Sequence, residues 1–374
     1  MKLMTRIKPV ATRLLGTLAV VALTLGATGC LNGTPAQSGV FVTKDAGTSW
    51  TATPDLTSPD TQKPDAYPPL EVNAVGVSRR DANFVVAGTG DDIYQSTDGG
   101  GKWERLTERL PSSTKAMTVQ TVTFHPTQGN TYFLGGVSGG YGKVIRSSDD
   151  GKTLQDIFTV SKPGQSVTSI AVSPESGALF AGDQLGSVYR SPDGGTTWQR
   201  VFSVDRIPVT SLAVSGKDIY VGTGGEGIWR STDGGTTFAP INGNLGRSNQ
   251  TVWSLAAGFG SLYAGTDDGL FATRDFGASW APVGNPLPAD GSRILAIAIS
   301  GSNLYFSTNA VVYRANPQGG NFTPVQLKLA RNVFSLAPAA THPETIYAGA
   351  SASGSDVTGR YNEGLTGGFN IEPN

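Results

Sequence analysis

The octapeptide Ser191-Pro192-Asp193-Gly194-Gly195-Thr196-Thr197-Trp198 returns in close variants along most of the chain, and no other feature restricts the fold as strongly. Variants occupy 43–50, 96–103, 147–154, 231–238 and 273–280, and a worn copy occupies 315–322. The aspartates are Asp45, Asp98, Asp149, Asp193, Asp233 and Asp275, with Pro317 in the worn copy, so the steps are 53, 51, 44, 40, 42 and 42 residues. Periods of this size suit one four-stranded propeller blade per repeat. The pattern Ser/Thr-x-Asp-x-Gly-x-x-Trp/Phe describes a hairpin turn before it describes an active site. Its hydroxyl and carboxylate can bond backbone N–H groups of their own turn, its glycine tolerates positive φ, and its aromatic anchors the outgoing strand.

The segments between copies share one grammar. Residues 167–173, 178–182, 187–190 and 198–202 read as four short strands separated by turn residues. The first of these, small and β-branched, recurs at 72–77, 119–124, 209–214, 252–257, 294–299 and 333–337, and its character suits the crowded wall around a propeller axis. Residues 39–53 hold only a third strand, a turn and a fourth strand, whereas 333–349 supply a first and a second. The spacing therefore predicts an all-β chain: one seven-bladed β-propeller of four-stranded antiparallel blades, closed by N- and C-terminal strands that share a blade. Such a latch removes two exposed sheet edges. A rival count places a worn third strand in 356–370 and leaves the N-terminal hairpin outside the ring.

The repeat resembles the Asp-box, or BNR, repeat of sialidases, sortilin-type receptors, xyloglucan-degrading glycosidases and the photosystem II assembly-factor propellers. The resemblance covers nearly the whole mature chain and implies the sialidase-like propeller fold, with the six aspartates as structural residues. It spans enzymes and pure binding proteins, so it selects no activity by itself.

Residues 1–29 read as an export signal. Lys2, Arg6, Lys8 and Arg13 precede an apolar run, 14–25, that is too short for a permanent membrane span. Ala27-Thr28-Gly29-Cys30 resembles the bacterial lipobox, which implies that Cys30 is lipidated and becomes the mature N-terminus. Cys30 is the only cysteine, so no disulfide framework exists. Residues 30–38 then form a lipid-anchored tether, 39–350 the propeller, and 351–374 a polar glycine-rich tail. The expected location is extracytoplasmic, on a membrane.

The 374 residues carry 28 basic and 29 acidic side chains and only 15% charged residues in all, with 50 glycines and 22 prolines. A near-neutral chain without a dominant basic patch argues against nucleic acid. No cofactor is indicated. No metal site is either, because His125 and His342 both precede proline at strand exits and the repeated aspartates lack the dense oxygen run of a calcium loop.

Function in such a scaffold belongs to loops held by rigid strands. Three stand out: 54–70, the glycine-rich 135–142 with Tyr141, and the tail. The loops before the inner strands carry Lys115, Lys162, Arg206, Arg247, Arg293 and Arg331, a candidate binding rim for an acidic partner or anionic sugar, and Trp253, on an inner strand, is an aromatic near the channel mouth that could stack on a sugar or a partner side chain. Trp50, Trp103, Trp198 and Trp280 read as core anchors. Asp91, Asp92, Asp183, Glu226, Asp267 and Asp268 sit in second-to-third-strand loops, where opposed pairs would suit glycoside hydrolysis. The xyloglucan-degrading relatives, however, build their cleft between two propellers, and this chain has one. Arg206-Ile207-Pro208 and Arg360-Tyr361-Asn362-Glu363 match fragments of a sialidase site in letters but not in position.

No catalytic residue is assigned on these grounds. The expectation is a membrane-anchored, non-catalytic propeller that binds a protein partner as a scaffold or assembly factor. The alternative is a carbohydrate-active protein, either a glycan binder or a glycoside hydrolase of the Asp-box type.

Overall fold

A computed structural model describes residues 39–53, 71–114, 116–284, 293–309, 311–317, 322–328 and 332–351. The segments 1–38, 54–70 and 352–374, and with them Cys30, the tether and the tail, lie outside the described residues, as do Lys115 and Arg331. Seven four-stranded antiparallel sheets form the blades of a β-propeller. Helix among the described residues is limited to three single 3₁₀ turns.

We number the blades from the first complete one. Their inner strands are Val72–Val77, Met117–Phe124, Val167–Val172, Val209–Ser215, Val252–Gly258, Ala296–Ser300 and Asn332–Pro338 for blades 1 to 7. In blades 1 to 6 the four strands pair in chain order. In blade 7 the inner strand pairs with Ile346–Ser351, which pairs with Gly39–Thr43, which pairs with Thr51–Ala52. Gly39 lies opposite Ala350 and Thr43 opposite Ile346, so the two ends of the propeller share one ladder and the rival count fails.

The blades lock together at a repeated position. Val72, Val119, Val167, Val209, Val252, Ile294 and Val333, at or beside the start of the inner strands, are all fully buried. Each packs against the second strand of the preceding blade, where six of seven blades have glycine. A methyl group on Gly88 would lie 2.3 Å from Val119 Cγ1, on Gly182 2.3 Å from Val209 Cγ1, on Gly222 2.9 Å from Val252 Cγ1 and on Gly349 3.0 Å from Val72 Cγ1. Gly135 and Gly265 face Val167 and Ile294 in the same way. Blade 6 alone has a side chain there, and Ser307 Oγ donates to Val333 O at 2.7 Å.

The repeated turns behave as their composition predicts. The Ser or Thr hydroxyl donates to Asp Oδ1 and accepts the N–H of the glycine four residues on, at 2.8 Å in all six copies. Asp Oδ1 accepts the N–H of the residue four positions after it, as in Ser49, Lys102, Thr153, Thr197 and Ser279. The aromatic ends reach the preceding blade: Trp198 Nε1 donates to Ile157 O at 3.1 Å and Trp280 Nε1 to Ile241 O at 2.8 Å. Trp280 is buried, whereas Trp50, Trp103 and Trp198 are half-buried against the core, so they clamp blade to blade more than they fill an interior.

These bonds stabilise ionised carboxylates. The hydroxyl and N–H of Ser49 hold Asp45 at about 2, the N–H and hydroxyl of Thr197 hold Asp193 at about 2, and the hydroxyl and N–H of Ser279 hold Asp275 at about 2. Asp233 is lowered by Thr237 and Asp98 by the N–H of Lys102. At Asp149 burial pushes upward and is outweighed by the N–H and hydroxyl of Thr153.

Gly182→Ala places a methyl group against a Val209 that has no room to yield, and should cost about 1–3 kcal/mol in urea unfolding. Gly90→Ala, where a methyl group meets nothing within 4 Å, should stay within about 0.5 kcal/mol of the parent. The lowered carboxylates bind fewer protons folded than unfolded, so stability rises with pH across their window. The urea midpoint should be level above the ordinary carboxylate value of 3.8 and fall as pH approaches 2. Asp193→Asn should flatten part of that fall, and an unchanged slope would refute the assignment.

Candidate functional site

The inner strands surround a central cavity of about 270 Å³ to which all seven blades contribute. In blades 1 to 5 and 7 the register shifts immediately after the buried valine, inserting one extra residue: Asn73, Gln120, Thr168, Thr210, Trp253 or Phe334. A bulge of this kind re-aims a side chain that a regular strand would bury between blades. All six line the cavity near the mouth, the face on which inner strands begin. Below them hydroxyls join neighbouring inner strands. Ser169 Oγ accepts Leu212 N–H at 2.9 Å, Ser211 Oγ accepts Leu255 N–H at 3.0 Å, and Ser335 Oγ accepts Val75 N–H at 3.0 Å.

One bulged residue belongs to a larger arrangement. Trp253 Nε1 donates to Asp267 Oδ1 at 2.9 Å, and Arg293 Nε donates to the same oxygen at 2.7 Å. The Arg293 Cζ lies 5.2 Å from the Trp253 ring centroid. Trp253 comes from the bulge of blade 5, Asp267 from the second-to-third-strand turn of that blade, and Arg293 from the segment entering blade 6. The three fix one another: the carboxylate sets the indole edge, and the guanidinium sits over the ring in cation–π range. No described residue donates to Asp267 Oδ2, and the Arg293 and Asp267 side chains are 29% and 33% exposed. An aromatic surface with a carboxylate oxygen beside it can stack on an apolar ring face while accepting a hydroxyl proton.

Arg293 is thus ion-paired and lends little positive field to the mouth. Lys162, Arg206 and Arg247 are exposed on the consecutive loops entering blades 3, 4 and 5, with Arg206 at φ 56°. Asp205, Glu226 and Asp268 are exposed around the same arc.

The remaining acids separate by surroundings. Asp92 Oδ1 accepts Arg105 Nε at 2.8 Å and the Thr107 hydroxyl at 2.6 Å. Asp183 is fully buried and accepts Leu185 and Ser187 N–H groups at 3.0 and 2.8 Å. Burial raises its pKa against those bonds. A raised carboxyl suits a general acid only where it meets substrate, and Asp183 instead closes its own turn. Asp91 is exposed. Residues 360–363 lie outside the described residues.

His125 is a turn residue whose Nδ1 accepts the Gln128 N–H at 3.1 Å, and burial lowers its pKa. No group of metal-ligating side chains occurs among the described residues, and no helix among them is long and apolar enough to cross a membrane. The glycine-rich stretch at 135–142 departs from expectation. It is not a loop but the end of two strands, Tyr132–Ser138 and Tyr141–Ser147, joined by a two-residue turn. Gly135 and Gly136 are there because of close packing, and only Gly139 and Gly140 turn the chain, at φ 58° and 81°.

No family model matches the chain. Over 183 residues it is 28% identical to a xyloglucanase of Hypocrea jecorina (strain QM6a), a stretch amounting to 45% of this chain and 20% of that enzyme. Among solved structures, the GH74 xyloglucanase from Xanthomonas campestris superimposes with a TM-score of 0.62 at 19% identity, over 75% of this chain and 51% of that one. YCF48 bound to D1 peptide gives 0.57 at 17% identity, over 75% of this chain and 93% of that one. The chain is a seven-bladed β-propeller similar to both. It spans about half the length of the xyloglucanase structure and one fifth of the Hypocrea enzyme.

Proposed function

We propose that this protein is a carbohydrate-active propeller that recognises a glycan, with xyloglucan-type chains as the leading class, at its channel mouth. The observation that carries this reading is the Trp253–Asp267–Arg293 arrangement, in which a channel-facing indole is oriented by a carboxylate whose second oxygen accepts from no described residue. Stacking on the apolar face of a sugar ring, with a ring hydroxyl donating to Asp267 Oδ2, uses each part of it. The similarity to xyloglucanases in both sequence and fold supports the same class. We assign binding and not hydrolysis. Hydrolysis needs two carboxylates facing one scissile bond, and of the candidate acids Asp92 and Asp183 are bonded within their own blades, which leaves Asp267 as the acid beside the indole.

A second reading is recognition of a protein segment, in the role of a scaffold or assembly factor. It is favoured by the match to peptide-bound YCF48, which extends over 93% of that chain where the xyloglucanase match covers half. Calorimetry with xyloglucan oligosaccharides and with unstructured peptides separates the two. The glycan reading expects oligosaccharide binding that Trp253→Ala weakens about tenfold, near 1.4 kcal/mol. Peptide binding with no oligosaccharide binding would transfer the mouth to the second reading.

For location we propose export, with lipid on Cys30 holding the propeller to a membrane. Metabolic labelling with a fatty acid should mark the parent chain and not Cys30→Ala. A labelled Cys30→Ala variant would rule the anchor out.

A further inference from the structure

Blade 2 rises above its neighbours at the mouth. Its first three strands have eight, seven and seven residues, against six, five and five in blade 3. The bulge marks a common level: Val119 opposite Gly136 in blade 2 corresponds to Val167 opposite Asp183 in blade 3, where pairing stops. In blade 2 the ladder continues mouthward through Thr118 and Val137 to Met117 and Ser138, and on the next strand through Gly142 to Tyr141. Two further residues add about 7 Å of wall.

The wall is braced. Gly139 and Gly140 make a tight turn with both residues at positive φ, whose twist matches the strands it joins. Gly164, on the loop into blade 3, donates its N–H to Gly140 O at 2.8 Å, and Val160 donates to Gly142 O at 2.8 Å. Tyr141 therefore stands on a short hairpin supported from the outer strand and from the neighbouring loop. A methyl group on Gly142 would meet Val160, Gln165 and Val167, so that face of the strand is turned to blade 3 and Tyr141 takes the opposite face.

Tyr141 is 39% exposed. The other exposed large hydrophobics among the described residues are Phe259 and Phe276, and both lie in turns at the far end of the propeller. The mouth thus has two aromatics of independent origin: Trp253 in blade 5, half-buried and lining the channel, and the exposed Tyr141 in blade 2, on a braced backbone. Three steps around a ring of seven put them on opposite sides of the channel. Tyr141 is on the third strand, two strand spacings or about 10 Å outside the inner wall.

From this placement we propose that the mouth takes an elongated glycan laid across its diameter, with Tyr141 as a second stacking subsite remote from Trp253. The proposal rests on the glycan reading given above. A disaccharide seated on Trp253 cannot reach Tyr141, whereas a long oligosaccharide can occupy both. Holding the wall rigid lowers the ordering cost that a flexible aromatic would add to binding.

The test is a comparison of cellobiose with a long xyloglucan oligosaccharide, titrated into the parent chain, Tyr141→Ala, Tyr141→Phe and Trp253→Ala. Tyr141→Ala should weaken the long ligand about tenfold and leave cellobiose unchanged, at an unaltered melting temperature. Tyr141→Phe, which keeps the ring, should restore the long ligand, and Trp253→Ala should weaken both. If Tyr141→Ala binds the long ligand as the parent does, or loses both ligands equally, the second subsite is overturned while the glycan reading stands. If the parent binds neither sugar, the glycan reading fails and takes this inference with it.

Discussion

A β-branched side chain near the mouth end of each inner strand packs against the preceding blade, at six of the seven junctions into space left by a glycine, and the ring is built from these contacts. Burying a valine or isoleucine from water contributes about 1.5–3 kcal/mol, but only if the facing strand can approach. Gly88, Gly135, Gly182, Gly222, Gly265 and Gly349 allow that approach. Blade 6 has Ser307 at this point, which makes a hydrogen bond to Val333 O. The separation and tilt of the blades, and hence the width of the channel, follow from contact distances at these seven points.

Because the inner strands are sheet edges, their free N–H and C=O groups face the axis, and an apolar channel would leave them unpaired. The serine hydroxyls of blades 3, 4 and 7 meet part of that demand from neighbouring blades. The bulge is compatible with the same requirement. It removes one residue from the ladder in each of six blades and delivers its side chain to the mouth, so an irregularity of the inner strands furnishes the functional surface. Trp253 is the large polar-edged member of that set, and its two partners keep its ring in one orientation.

Much of the architecture is legible in the chain because it is local or periodic. The repeated turns lie within eight residues each, one inner strand recurs between each turn and the next, and the incomplete first and last units complement one another. What was not legible is contact between blades. Ala87-Gly88-Thr89, Val221-Gly222-Thr223 and Ala264-Gly265-Thr266 repeat visibly, yet the valine or isoleucine that makes each glycine necessary lies about thirty residues further on in the next unit. Likewise Asp267 and Arg293 read separately as a loop acid and a rim cation. Their union with Trp253 depends on a one-residue register shift that carries no composition of its own. The one available signal is that an aspartate follows Thr266 where Gly90 and Gly224 follow the equivalent threonines. Gly135 and Gly136 misled in the other direction, since glycine demanded by close packing looks like glycine demanded by a loop.

The shared ladder of blade 7 has a consequence for how the ring comes to exist. Its first strand, Gly39–Thr43, waits for Ile346–Ser351, so the closing contact joins the earliest and the latest parts of the propeller sequence. Contacts between such distant segments form slowly, because a long loop must be closed before any pairing energy is gained. A chain made or threaded from its N-terminus can fold blades 1 to 6 as it emerges, each onto the last. During that interval its opening hairpin and the flank of blade 1 are unpaired edges. The whole ring therefore matures in one terminal step, and a chain cut short before Ile346 remains an open arc with two adhesive ends.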